Sequence, residues 1–241
     1  MLTTSYKRPT KLSGPNHGWS PGFLNNILEK SDAELDGVDY RLLFGPHLPA
    51  GRYDEIMYFL PIAFDYLRGH NTDKLEMVSS VFGFCSNNAK NLEADGLLDT
   101  IVSEINECLN TWSNKFEIVH FDEKACLEKE WTLTHMDYVK DSEVILEGTT
   151  DLVRFESLKH IAVSFYKSIA LFDDNQIKAS WFLELSRSRF GVYTPPECEE
   201  ISTLLTDKKL LNKAYDVVYP LALDESVSPT YWKDTFNQLS L

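Results

Sequence analysis

The chain has 241 residues, 43% of them hydrophobic and 25% charged, enough for one large domain or two small ones around a sizeable core. Its net charge is −14. So acidic a surface repels phosphate backbones and argues against direct nucleic-acid binding; it suits a basic protein partner, or simply solubility.

The charge is uneven. The first 28 residues hold no Asp or Glu and carry Lys7, Arg8 and Lys11, leaving 37 acids against 20 bases in the remainder, a net −17. The start, MLTTSYKRPTKLSG, lacks the apolar core of a secretion signal. No apolar run reaches the ~18 residues of a membrane helix. Cys85, Cys108, Cys126 and Cys198 stand at wide, unequal spacings without a C-x-x-C pair. That pattern suits reduced thiols in a cytoplasmic protein rather than zinc or a disulfide framework.

In chain order, residues 1–20 are polar and broken by Pro9, Gly14, Pro15 and Gly18. They read as a flexible or strapping arm, with 21–241 as a single helical domain. Residues 21–53 read as short helices and turns, with GPHLPAG (45–51) extended ahead of a helix opened by Asp54 and Glu55. The run IMYFLPIAFDYL (56–67) is apolar apart from Asp65. Twelve residues span only about 18 Å, too short for a bilayer, so 54–68 is expected to be the buried central helix. Pro61 should kink it.

Helical periodicity then takes over. Leu75, Val78, Phe82, Cys85, Ala89 and Leu92 form one stripe. Leu98, Ile101, Ile105, Cys108 and Trp112 form a second, and Leu158, Ile161, Phe165, Ile169 and Phe172 a third. Ile177, Trp181 and Leu185 mark a further helix, as do Leu210, Ala214, Val217 and Leu221. Ser228-Pro229 is a start signal for a last helix burying Trp232, Phe236 and Leu239. FEIVHF (116–121) is the lone strand-like run, and one strand makes no sheet. The expected fold is all-α: an irregular multi-helix bundle or short helical-pair array of eight to ten helices.

Phosphate-loop, dinucleotide, zinc-protease and nucleophile-elbow motifs are absent from the sequence. Glu117 and His120 have the three-residue spacing of a di-iron half-site, but a full site needs a second copy and two more glutamates. Glu156 and His160, four apart, would couple a carboxylate to an imidazole if one helix carried both. Glu143, Glu147 and Asp151 fall within about 80° of one another if a helix runs through Gly148. Tyr138, Val139, Ile145, Leu146, Leu152 and Val153 would lie on the opposite face. SRSRF (186–190) is a concentrated basic spot expected to pair with nearby acids, and Cys198, after Pro195-Pro196, is expected to be exposed.

Two functional readings follow. The first is a non-catalytic, cytoplasmic protein-binding protein, of the kind that neutralises a basic toxin or nuclease, without cofactor or metal. Its expected partner-binding residues are Glu143, Glu147 and Asp151, with the loop 45–53 or the acid-rich segment 29–39 as the fallback surface. The second is a helical hydrolase with a scattered site built from His47, Glu117, His120, His135 and His160.

Overall fold

The computed structural model describes residues 2–3, 5–13, 21–45, 49–69, 71, 73–120, 137–191, 193–223 and 229–241. Thirteen α-helices fall within them: α1 (Pro21–Glu29), α2 (Gly37–Phe44), α3 (Tyr53–Ile56), α4 (Leu60–Arg68), α5 (Lys74–Asn87), α6 (Ala89–Ala94) and α7 (Leu98–Ser113), then α8 (Ser142–Arg154), α9 (Lys159–Ala170), α10 (Gln176–Arg187), α11 (Glu199–Thr206), α12 (Lys208–Ala222) and α13 (Pro229–Leu239). Strands β1 (Ile118–His120) and β2 (Asp137–Val139) precede α8. The fold is all-α with one small ribbon. Two of the thirteen, α3 and α6, are short pieces set off from α4 and α5 by interruptions.

The chain forms two compact units, 1–111 with 147–162, and 112–146 with 163–241. In the first unit, α5 packs against α2 and α4. It is buried nearly all round, at Met77, Val78, Val81, Phe82, Phe84 and Cys85 and also at Ser80, Gly83 and Ser86. Small residues among the large ones let neighbouring helices approach. The rings of Phe44 and Phe84 meet edge to face at 5.3 Å, and Phe64 lies 6.5 Å from Phe82.

The central helix is therefore α5, not 54–68. Residues Ile56, Met57, Phe59, Leu60, Ala63, Phe64 and Leu67 are indeed buried, but turns at 57–59 split the segment into α3 and α4. Pro61 falls in the first turn of α4. There its missing N–H has no intrahelical partner to lose, so the chain restarts a helix rather than kinking one. A second interruption comes at Asn88, which donates from its backbone and side chain to the Phe84 carbonyl and separates α5 from α6. Gly96, at φ 68°, ends α6, and the Leu97 N–H closes back on the Leu92 carbonyl at 2.8 Å.

In the second unit α10 takes the same role, packed by α11, α12 and α13. Asn175 caps it, accepting from the Lys178 N–H at 3.0 Å. Every residue from Ala179 to Ser186 is buried. Trp181 donates Nε1–H to the Lys115 carbonyl at 2.9 Å, and its ring meets Phe116 edge to face at 5.4 Å. Phe116 also stacks on Trp232 at 5.5 Å.

The expected core residues Leu60, Phe64, Phe82, Ile105, Phe165 and Trp181 are all buried. On α12 the buried face is Leu211, Ala214 and Val218, one residue later than the expected 210/217 stripe. Ile177 is exposed rather than core. Residues 116–121 do find a partner: β1 pairs antiparallel with β2 in the register Ile118↔Val139, Val119↔Tyr138, His120↔Asp137. Tyr138 and Val139 are thus strand residues and not part of a helix face. Ser228 lies outside the described residues; the helix after it buries Trp232 and Phe236 as expected.

Candidate interaction site

The stripe Glu143, Glu147 and Asp151 lies on one unbroken helix, α8, which runs through Gly148. The absence of a side chain there has a packing cause. A Cβ on Gly148 would stand 3.0 Å from both Phe82 and Val78 of α5. The same close approach undoes the exposed stripe. Glu143 is exposed and Glu147 half-buried, whereas Asp151 is only 4% exposed and accepts a hydrogen bond from the Ser79 hydroxyl. The carboxylates do not all face away from the core, because α5 covers the last of them. Burial and then the neighbouring Asp151 raise Glu147 above the usual carboxylate range, the Ser79 hydroxyl acting the other way. Glu143 is also raised, by burial and then by Glu184.

The other sequence candidates come apart. Glu117 precedes a strand and pairs with Lys140 at 3.5 Å, so the helical Glu-x-x-His geometry does not exist. Glu156 has φ 56° and lies before α9 begins, so it shares no helix with His160; it pairs with Lys159 at 3.3 Å. His47, His135 and Cys126, and the side chain of His120, lie outside the described residues. Cys85 and Cys108 are buried, and desolvation pushes the Cys108 thiol up to about 12. Cys198 is 7% exposed, not open as expected. Of the basic spot at 186–190, Arg187 does pair with Glu184 at 2.8 Å. Arg189 instead donates to the Ser186 carbonyl at 2.8 Å and lies over the Phe190 ring.

Two buried polar centres escape sequence reasoning. In the second unit, Glu184 is 3% exposed and accepts from Arg187 Nε at 3.0 Å and from the Tyr231 hydroxyl at 2.5 Å. The guanidinium carbon lies 4.9 Å from the centre of the Tyr231 ring. Burial opposes the charge on Arg187, but Glu184 and Tyr231 together outweigh it and raise the group. In the first unit, Glu104 is 2% exposed, pairs with Arg68, and accepts the Leu2 backbone N–H at 2.6 Å.

That last bond belongs to a series. Residues 2–13 are neither helix nor strand where described, yet they are tied to the first unit at four places. The Leu2 side chain is 3% exposed. The Tyr6 hydroxyl donates to Asp95 at 2.8 Å, beside the Tyr53 hydroxyl, which donates to the same oxygen at 2.9 Å. Arg8 pairs with Asp32 and donates to the Lys30 carbonyl. The Ser13 N–H reaches Glu55 at 2.8 Å. Burial opposes ionisation of Glu55, but the N–H bonds from Ser13 and Arg52 outweigh it and hold the carboxyl below its ordinary range. The Tyr58 hydroxyl donates to the second oxygen of Asp32 at 2.6 Å. That bond and then burial raise the phenol.

The acid-free first 28 residues were the sequence signal for this arrangement. Of the acids that receive the arm, Asp32 falls in the acid-rich segment 29–39, whereas Asp95 and Glu104 carried no local signal. Among the described residues no group of three or more His, Cys, Asp or Glu is arranged to hold a metal ion, and no helix is long and apolar enough to cross a membrane. The fold and this site together define an acidic all-α protein with a basic arm laid over carboxylates of its own first unit. No family model, curated protein or solved structure matches the chain.

Proposed function

We propose that this is a non-catalytic, cytoplasmic protein-binding protein of the immunity or inhibitor kind, recognising a basic partner through the acidic face of the first unit. The observation that carries the reading is the arm itself. Asp32 holds it by pairing with Arg8, while Asp95, Glu55 and Glu104 accept from the Tyr6 hydroxyl and from the Ser13 and Leu2 N–H groups. A face that accepts such a segment from its own chain has the acceptors to accept one from another chain. The proposed surface is therefore the region around the acid-rich segment 29–39, the fallback to the α8 stripe. The net charge of −14 would steer a basic partner toward it and make association salt-dependent.

The test is capture from the native host, followed by kinetics on the purified partner. The expected partner is basic; its association rate falls steeply as ionic strength rises, and falls again on the Asp32→Asn/Asp95→Asn variant at low salt. A partner bound at the same rate across salt and by both proteins contradicts the reading. So does turnover of a small metabolite by the purified chain.

A further inference from the structure

The place where Arg8 lies has the construction of an arginine site. Its two terminal nitrogens go to different acceptors, one to the Asp32 carboxylate and one to the Lys30 backbone carbonyl. The guanidinium carbon stands 5.9 Å from the centre of the Tyr58 ring and 5.7 Å from that of Phe59. Tyr58 also holds the carboxylate from its other side, through the 2.6 Å bond to Asp32. A planar fork can meet two acceptors and lie against aromatic rings at once. An ammonium offers a compact, strongly hydrated point charge and fills this arrangement less well.

Two residues earlier, Tyr6 occupies a second receptor. Its hydroxyl bonds Asp95 and its ring meets the Tyr53 ring edge to face at 6.3 Å. Lys7 between them is exposed and makes no ion pair among the described residues. Recognition therefore falls on the first and third residues of a tyrosine-x-arginine tripeptide, with the middle position open.

We infer that residues 5–11 occupy a tyrosine-x-arginine recognition site of the first unit, and that an extended basic segment of a protein partner competes for the same site. This rests on the reading given under Proposed function and names the feature of the partner that is read. The arm then sets a threshold. A partner segment meets a site occupied in most molecules, and its apparent affinity is reduced by the fraction of sites vacant. Local concentration favours the arm, so a partner must either bind more tightly at these two positions or add contacts elsewhere.

The experiment uses the full chain and a labelled peptide, SYKRPTK, copied from residues 5–11. Fluorescence anisotropy is read for wild type, for Tyr6→Ala/Arg8→Ala, and for the latter with Asp32→Asn added. The arm variant should bind the peptide at least tenfold more tightly than wild type, and adding Asp32→Asn should abolish that gain. A peptide with lysine in place of arginine should bind the arm variant at least fivefold more weakly. Equal binding by wild type and the arm variant overturns the competition. Equal binding of the arginine and lysine peptides overturns the arginine site. Amide exchange in α5 confirms that each variant is folded; should Tyr6→Ala/Arg8→Ala fail that check, Arg8→Lys is put in its place, with the same gain required. The two readings fail separately. Tight peptide binding with no basic partner in the host sinks the partner reading alone. A salt-sensitive basic partner that binds wild type and the arm variant equally well sinks the competition alone.

Discussion

Glu104 in the first unit and Glu184 in the second are buried to the same degree, 2% and 3% exposed, and each is paired with an arginine. They differ in where their donors come from. Glu184 sits three residues from Arg187 on the same helix and takes its third bond from Tyr231 of α13. Each of those donors is fixed by a packed helix. Glu104 takes a donor from Leu2, 102 residues away, on a segment with no helix or strand of its own. Arg68, which also pairs with Glu104, reaches Asp65 as well and comes within 3.8 Å of Glu107. A buried carboxylate must be given donors: the three bonds to Glu184 come from packed helices, whereas Glu104 adds to its pair with Arg68 of α4 a donor from the arm. The arm's donor is the one that can be withdrawn without moving a helix.

The comparison is most directly strained by taking each glutamate away. Glu184→Ala leaves the half-buried Arg187 guanidinium with no other carboxylate within ion-pair distance among the described residues and the buried Tyr231 hydroxyl without its acceptor, and should cost about 2–3 kcal/mol in chemical denaturation. Glu104→Ala should cost distinctly less, because Arg68 keeps Asp65. Equal losses would remove the distinction between the two centres. Next in size is Gly148→Ala. Its Cβ would press at 3.0 Å on Phe82 and Val78, and overpacking of this kind costs about 1–3 kcal/mol. A neutral result would mean that α5 and α8 can part without loss.

Smaller effects separate the arm from the packed helices. Glu55→Gln weakens the charge-assisted bonds from Ser13 and Arg52 and should cost about 1 kcal/mol. Because the folded Glu55 carboxyl lies below its ordinary value, its contribution is complete above the unfolded value of about 4.3 and is lost as pH falls through the lower, folded one. The difference between wild type and Glu55→Gln should therefore close under acid. Glu143→Gln should show the opposite sign. Its folded value is raised, by burial and then by Glu184. The charged form then costs stability as pH rises from the ordinary carboxylate range through the raised value. Solvent screens a group as exposed as Glu143, so the gain should be slight; it should appear at neutral pH and vanish in acid. Thermal midpoints across pH read both.

Much of the core was legible because helical periodicity reports one apolar face directly. Leu158, Ile161, Phe165, Ile169 and Phe172 are all buried as their spacing implies. What periodicity cannot report is which element covers a polar face from far along the chain. Asp151 looked solvent-facing on its own helix until Ser79, 72 residues earlier, was brought against it. The same limit hid β2, since DYV carries no strand signal until β1 lies beside it. Within 54–68 the composition was read correctly and the backbone was not. Proline is compatible with a kink or with a first turn, and the choice depends on the turn at 57–59. The arm's docking site was half legible. Charge asymmetry set the arm apart and Asp32 lies in the acid-rich segment 29–39, but Asp95 differs from other acids only in what folds against it.

The central claim is that unit-one carboxylates hold residues 2–13 as a single docked segment. Amide hydrogen exchange on the full chain tests it, comparing wild type with Asp32→Asn/Asp95→Asn. Those substitutions touch neither the acceptor of the Leu2 N–H, Glu104, nor that of the Ser13 N–H, Glu55. If the arm docks as one unit, both amides should exchange at least tenfold faster in the variant while α5 and α10 keep their protection. Unchanged exchange at Leu2 and Ser13 would contradict the account, because the arm would then be held without the acids that are supposed to recognise it.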